Sequence, residues 1–203
     1  GQYHVFMNQL LAERKVRDVA PLNLSIDGNF AGMGPKVLFR SWKAVLVADV
    51  MDDILCSLIA LAVDRESAVA LFEEEFFKIC DALEGKGALS FYRQLDASAR
   101  RLALVPLRQQ FAQTAHVAVT GEFFVRRDSF SNLGIAHRLA EAGFLVSTAS
   151  LSEVMYYNNF LLERGLRDPE RTLASRIEYL ISRATQRYVE KKIKRILSRS
   201  GLY

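Results

Sequence analysis

The residues best suited to chemistry lie at the end of an alternating apolar run, with Val117, Val119 and Phe123 among its apolar residues, in the second half of the chain. Gly121 and Glu122 end this run, and Asp128 and Asn132 follow in a polar loop that leads into an amphipathic helix. In parallel α/β sheets, ligands usually lie at the carboxyl ends of strands. A glycine there lets a ligand approach the backbone, and the polar side chains can contact it or hold a reactive group. We therefore predict a ligand-binding site formed by Gly121, Glu122, Asp128 and Asn132, with the catalytic residues and the reaction unknown.

The same four residues also allow a purely structural interpretation. Ser129 or Asp128 can cap the following helix, because a short polar side chain accepts hydrogen bonds from the first free backbone N–H groups. Glu122 and Asn132 would then hold the loop by hydrogen bonds. The sequence leaves both interpretations open.

The other motifs provide weaker evidence for a functional site. His137 and Glu141 are spaced i, i+4 on the predicted helix, which supplies half of a metal site at most and is typical of surface neighbours. Cys56 and Cys80 lie in helical patterns without a CxxC motif, so we expect free, reduced thiols and assign no metal ligand within this chain. The glycine-rich loop 27–36 fits neither known phosphate-binding spacing, and a flexible turn is favoured over phosphate binding.

The elements that position these residues follow from the periodicity. A predicted strand at 19–26 is followed by three helical stretches, at 36–63, 67–83 and 91–113, the last either kinked or split at Pro106. A β–α–β–α pattern and two further helices, 170–182 and 184–198, either separate or joined into one, complete the chain. We predict one α/β domain, 1–203, with a small parallel Rossmann-like sheet of three or more strands flanked by helices. The sheet-forming parts are 1–35 and 114–165, the large helical segment between the first and second strands is 36–113, and the basic C-terminal helices are 166–203.

Composition and charge limit the class of protein. The 203 residues are 50% hydrophobic and 25% charged, as in ordinary globular proteins, and no apolar stretch is long enough for a membrane span. The net charge of +4 is uneven: 49–84 holds ten acidic and two basic residues, whereas 168–203 holds nine basic and four acidic ones. These segments could attract each other or face separate partners. The tail lacks an aromatic platform and a known DNA-binding motif, so we expect neither nucleic acid nor membrane as a partner.

Two blocks of the sequence resemble one family. The first runs from Gly1-Gln2-Tyr3 through VAPLNLSI and the glycine loop to the Trp42–Asp49 segment. The second runs from Val119-Thr120-Gly121-Glu122 to Asn132. It continues through Leu139, Gly143, Glu153, Tyr156 and Tyr157. Together they resemble the C-terminal part of 2-hydroxyacyl-CoA dehydratase-like proteins, in particular the CoA-substrate-specific enzyme activases.

The resemblance implies an anaerobic, cytoplasmic electron-transfer system acting on acyl-CoA thioesters. Its activators are actin-like ATPases, but this chain carries no actin-like ATP-binding motif, so it resembles the non-ATPase part and should be inactive alone. A four-iron four-sulfur cluster is implied in the full-length protein, with ligands outside this fragment. Expected partners are other domains of the same longer protein, an activator ATPase or a dehydratase subunit. The alternative is a non-catalytic assembly module that docks through its acidic middle and basic C-terminal helices.

Overall fold

The structure is a computed structural model that describes residues 3–19, 21, 33–85, 87–166 and 173–203. It divides into two compact units, 1–41 and 42–203. The first unit contains helix α1 (Tyr3–Glu13) and the first turns of helix α2 (Pro35–Leu61). Proline suits the first turn of a helix, where its missing N–H has no intrahelical partner. The prediction of a single domain stays a prediction.

The predicted helical segment is confirmed by α2, α3 (Arg65–Glu84) and α4 (Ala88–Leu102). Asp64 caps α3, because its carboxylate accepts a hydrogen bond from the backbone N–H of Ser67 at 3.1 Å. The prediction of helix across 91–113 is wrong in its second half. Pro106 disfavours the helical conformation before it, and the chain instead forms an antiparallel bridge between Ala62 and Leu107, followed by a single 3-10 turn at Phe111–Gln113.

Two parallel strands, β1 (His116–Val119) and β2 (Leu145–Thr148), confirm the predicted β–α–β unit, with Val119 opposite Thr148 at the carboxyl ends. Between them lie three short helices, α5 (Phe123–Arg127), α6 (Ser129–Asn132) and α7 (Ile135–Glu141). Phe123 therefore begins a helix and does not continue the strand, because Glu122 caps α5. The predicted strand at 19–26 lies outside the described residues except for Val19 and Pro21.

Helix α8 (Glu153–Glu163) follows β2, and α9 (Leu173–Leu197) confirms that the two predicted C-terminal helices are joined. A 3-10 turn, Ser198–Ser200, follows α9. Hydrogen bonds link α8 to α9, among them one from the Asn159 amide to the Gln186 side chain at 2.9 Å. Within the described ranges, no helix has the length and apolarity to cross a membrane.

Helix α2 belongs to both apolar clusters of the second unit. One side packs with residues of α3, α4 and α9, including Phe91, Leu95 and Ile193, which are fully buried. The other side packs Cys56 and Ile59 against Ala140 of α7 and Val146 of β2. The described part of the chain is thus an α/β arrangement in which α2 joins a helical layer to a parallel strand pair. Any polar residue on the strand-facing side of α2 consequently lies close to the sheet.

Candidate functional site

The carboxyl ends of β1 and β2 face a polar stripe on α2. Asp49, Asp52, Asp53 and Cys56 are spaced so that they share one face of the helix. The backbone N–H of Thr148, the last residue of β2, donates to the Asp53 carboxylate at 3.3 Å. This contact places the stripe at the edge of the sheet where ligands of parallel α/β proteins bind.

Arg127 joins the stripe to the loops around the sheet. Its guanidinium donates to Asp52 at 2.7 Å and to Asp49 at 2.9 Å, and it lies 3.4 Å from the carbonyl oxygens of Thr148 and Ala149. The Arg127 side chain is about one-fifth exposed. Its Nε is buried and has no hydrogen-bond partner among the described residues. A buried N–H of this kind is normally satisfied by protein, water or a ligand.

Asp49 is the most fully bonded carboxylate of the stripe. Besides the Arg127 guanidinium, it accepts the backbone N–H of Leu151 at 2.8 Å and that of Ser152 at 3.0 Å. Its side chain is 7% exposed. Three charge-assisted hydrogen bonds compensate the burial of this charge, so Asp49 fixes the loop after β2 onto α2.

Asp53 and Cys56 lie deeper in the same stripe. Burial raises the pKa of Asp53 to about 6, the neighbouring Asp52 adds to the rise, and the Thr148 N–H opposes it. Burial also raises the pKa of the Cys56 thiol to about 12, and the charges of Asp52 and Asp53 reinforce this. Both shifts follow from placing groups of the same charge together with little solvent. Cys56 is therefore a neutral thiol at physiological pH in the unliganded chain.

Gly121 and Glu122, two of the predicted site residues, lie directly after β1. Gly121 has φ of +135°, a conformation that favours glycine, and its carbonyl accepts a hydrogen bond from Arg126 at 3.2 Å. The Glu122 carboxylate accepts the backbone N–H groups of Phe124 and Val125 at 2.9 and 3.0 Å. Both residues are exposed and shape the turn into α5.

Asp128 and Asn132, the other two, hold the next turn. Asp128 caps α6 by accepting the backbone N–H of Ser131 at 2.9 Å. The Asn132 amide donates to the carbonyl oxygens of Val125 and Arg126 at 2.9 and 3.1 Å and accepts the backbone N–H of Gly134. The capping and loop hydrogen bonds that the structural interpretation predicts are thus present at Glu122, Asp128 and Asn132. The ligand-contact role stays a prediction.

A cavity of about 110 Å³ lies between these loops and α2. Of the four predicted residues, Asn132 lines it. The other lining residues come from α2, the short helices and β2: Asp52, Arg126, Arg127, Ser129, Gly134, Ala136, His137 and Thr148. A cavity of this size holds a few water molecules or a carboxylate-sized group. It is well below the roughly 300 Å³ of a typical small-molecule pocket.

Two residues that line the cavity, Asp52 and His137, lie next to the buried Cys56, and all three carry groups that bind metals. One ligand atom each from Asp52, Cys56 and His137 lies within 4.8 Å of the others. Cys56 is buried and His137 is exposed. Its sequence neighbour at i+4, Glu141, is also exposed, as expected for a surface pair. The partners of His137 instead come from α2, which is distant in sequence.

Sequence reasoning did not assign Arg127, Asp49, Asp52, Cys56 or His137 to the site. The available signal was the i, i+3, i+4, i+7 spacing of three aspartates and a cysteine on a helix that is otherwise apolar. From the sequence alone, these aspartates count only among the acidic residues of 49–84. Their spacing shows a common face, but the partner of that face depends on the tertiary structure.

Comparisons of the chain with family models, curated proteins and solved structures find no match.

Proposed function

We propose that this chain is the non-ATPase, dehydratase-like α/β domain of a CoA-substrate-specific enzyme activase system, with a Rossmann-like arrangement around β1 and β2. Its role is to form part of a cleft for an acyl-CoA-derived group next to an iron–sulfur cluster held elsewhere in a longer protein. The observation that carries this proposal is the polar cavity at the carboxyl ends of the parallel strands. In this class of sheet, ligands bind at that edge.

The loop side of the cavity, away from the α2 carboxylates, favours an anionic or carbonyl group. Arg126, Arg127 and the exposed His137 line the cavity, and the Arg127 Nε has no partner within the described residues. A carboxylate or thioester oxygen would accept a hydrogen bond from that N–H. The small volume restricts the fit to the acyl end of the substrate, so the CoA part would lie outside this cavity. The domain supplies binding and orientation, and we assign no catalytic step to it alone.

The test compares this chain with a longer form that extends upstream of Gly1, both prepared anaerobically. Iron, sulfide and the visible spectrum are measured for each. The proposal is supported if the longer form contains a cluster and this chain does not. It is contradicted if neither folded form contains iron.

A second measurement addresses the cavity. Arg127→Met in the longer form should weaken binding of a short acyl-CoA at least tenfold, because the cation and its free N–H are lost, and should leave the iron content unchanged. Arg138→Met changes an exposed arginine on α7 and serves as the matched control. Equal binding by both variants would exclude Arg127 from the substrate site.

A separate observation favours docking of an acidic partner as a second candidate function. A groove of about 550 Å³ runs between α4 and α9. Exposed cations on its walls include Arg93, Lys191 and Arg195, and Lys192 lies 3.9 Å above the Tyr92 ring. Such a surface attracts and orients a negatively charged partner.

Part of the acidic middle of the chain is already paired within the chain. Asp49 and Asp52 pair with Arg127, and Glu75 pairs with Lys78 and Arg101 inside the fold. Charges that are already paired add little to the attraction of a partner. Asp49, Asp52 and Glu75 therefore contribute little to docking, and the basic groove is the surface tested.

The docking candidate is tested with Lys191→Gln, Lys192→Gln and Arg195→Gln combined. Binding to the upstream part of the longer protein, or to its activator ATPase, should weaken and lose most of its salt dependence. Lys194→Gln is the control, because Lys194 already pairs with Glu190 at 2.8 Å. Unchanged affinity of the triple variant would exclude this groove as the docking surface.

A further inference from the structure

We infer that Asp52, Cys56 and His137 form a binding site for one divalent transition-metal ion of the zinc class, with an open coordination position toward the cavity. This inference goes beyond the proposed function and does not depend on it, because it concerns the 203-residue chain alone. An iron–sulfur cluster elsewhere in a longer protein could be present or absent without affecting it.

The donor set fits such an ion. Zinc binds thiolate sulfur, imidazole nitrogen and carboxylate oxygen, and catalytic zinc sites typically use three protein ligands with a fourth position for water or substrate. Asp52 and Cys56 are spaced i, i+4 on α2, which places them on one face of the helix. His137 comes from α7, which packs on that same side of α2 through Ala140. The site therefore connects two elements held together by a buried apolar contact.

The distances are close to those of a formed site. The three ligand atoms lie within 4.8 Å of one another. In a tetrahedral zinc site with bonds of about 2.0–2.3 Å, neighbouring ligand atoms are about 3.3–3.8 Å apart. Binding thus requires them to approach by roughly 1 Å or somewhat more, which side-chain torsions can provide without moving either helix.

The charge on the α2 side of the cavity also favours a cation. There the carboxylates of Asp49, Asp52 and Asp53 face the Arg127 guanidinium, whereas Arg126 lies on the opposite, loop side and pairs with Glu153. Arg127 contacts one oxygen of Asp52, which leaves the other carboxylate oxygen for the ion. On binding, the Cys56 sulfur forms a bond to the metal and its proton passes to solvent, so affinity should rise with pH.

The open position gives the site a possible chemical role. Asp52 and His137 line the cavity together with Asn132 and Arg127, so water or an anionic ligand in the cavity can reach the ion. A bound ion would polarise a carbonyl or lower the pKa of its water. The cation Arg127 would stabilise negative charge that develops beside it.

The test is titration of the tag-free chain with Co²⁺ alone, followed by competition with Zn²⁺. Cobalt bound by thiolate gives a ligand-to-metal charge-transfer band in the near ultraviolet and intense visible bands when tetrahedral. We expect one ion per chain, displacement by zinc, and loss of the charge-transfer band in Cys56→Ser. Cys80→Ser is the matched control and should keep the band, since Cys80 lies on α3 and does not belong to this group of ligands.

His137→Gln provides a second variant, because His137 is exposed and its replacement should not disturb folding. Its cobalt affinity should fall by at least about 100-fold, the upper end of what loss of an outer-shell partner costs. Circular dichroism confirms that each variant is folded. An unchanged charge-transfer band in Cys56→Ser, an unchanged cobalt affinity in His137→Gln, or no binding by the folded wild-type chain would overturn the inference.

Discussion

Replacement of Asp49 by Asn tests whether the buried carboxylate anchors the loop after β2 to α2. In the wild-type chain, the carboxylate accepts three hydrogen bonds, from the Arg127 guanidinium and from the backbone N–H groups of Leu151 and Ser152. An asparagine amide has one acceptor oxygen. Its NH₂ group must then face a backbone N–H, because the Arg127 and Leu151 donors share Oδ1 and the Ser152 donor uses Oδ2.

These contacts determine how much stability the Asp49→Asn substitution should remove. A buried N–H that loses its acceptor costs about 1–3 kcal/mol, and loss of the charge opposite Arg127 adds about 1 kcal/mol. We therefore expect Asp49→Asn to lower the free energy of unfolding by about 3 kcal/mol. Asp52→Asn is the matched comparison: the Asp52 side chain is 32% exposed and pairs with the same arginine, so its loss should cost about 1 kcal/mol or less.

The assay is urea unfolding at pH 7 with EDTA present, so that no metal ion contributes. Trp42 is the only tryptophan and is 7% exposed, so its fluorescence reports unfolding of the second unit. The midpoint should shift to lower urea in Asp49→Asn with an unchanged slope. If Asp49→Asn destabilises no more than Asp52→Asn, the backbone hydrogen bonds of Asp49 do not stabilise this junction.

Two further predictions concern a buried acid and the thiols. Glu75 is 1% exposed, and its burial alone would raise its pKa. Hydrogen bonds from Lys78 and Ser98, together with the charges of Lys78 and Arg101, outweigh the effect of burial. They hold the pKa of Glu75 below its usual range. The stability from Glu75 is therefore present above its unfolded pKa of about 4.3 and is lost as the pH falls through the folded pKa. Glu75→Gln should cost roughly 2–3 kcal/mol at pH 7 and progressively less in acid. Exposed Glu73→Gln should have little effect at any pH in the same unfolding series. In the metal-free native chain, a thiol reagent at neutral pH should modify the half-buried Cys80 slowly. Cys56 should stay unmodified until the chain unfolds, because it is buried and the pKa of its thiol is about 12. Cys80→Ser should then show no native reaction, and rapid labelling of Cys56 would contradict its burial.

Local patterns predicted most of the elements. The 3.6-residue periodicity of α2 and α3 and the alternation before Thr120 are properties of neighbouring residues, so the sequence indicates them directly. The errors have local causes as well. Helix α4 ends at Leu102, because Pro106 disfavours its continuation. Phe123, predicted to belong to the strand, begins α5 because Glu122 caps that helix.

For the polar loop after β1, the signal in the sequence was also local. Gly121, Glu122, Asp128 and Asn132 are predicted as site residues because a strand that ends in a polar loop is a local signal, and their ligand-contact role stays a prediction. Their hydrogen bonds are to near neighbours in sequence.

By itself, the sequence determined the helical character of 36–63, the β–α–β order, the uneven charge and the position of a polar loop after a strand. Only the tertiary structure decided that Asp49, Asp52 and Cys56 face Arg127 and His137. These groups are separated by about 70–90 positions in the sequence, and their meeting depends on the packing of α2 against α7 and β2 through Ile59, Ala140 and Val146. Helical periodicity shows which residues share a face, whereas long-range apolar burial selects the surface that this face meets.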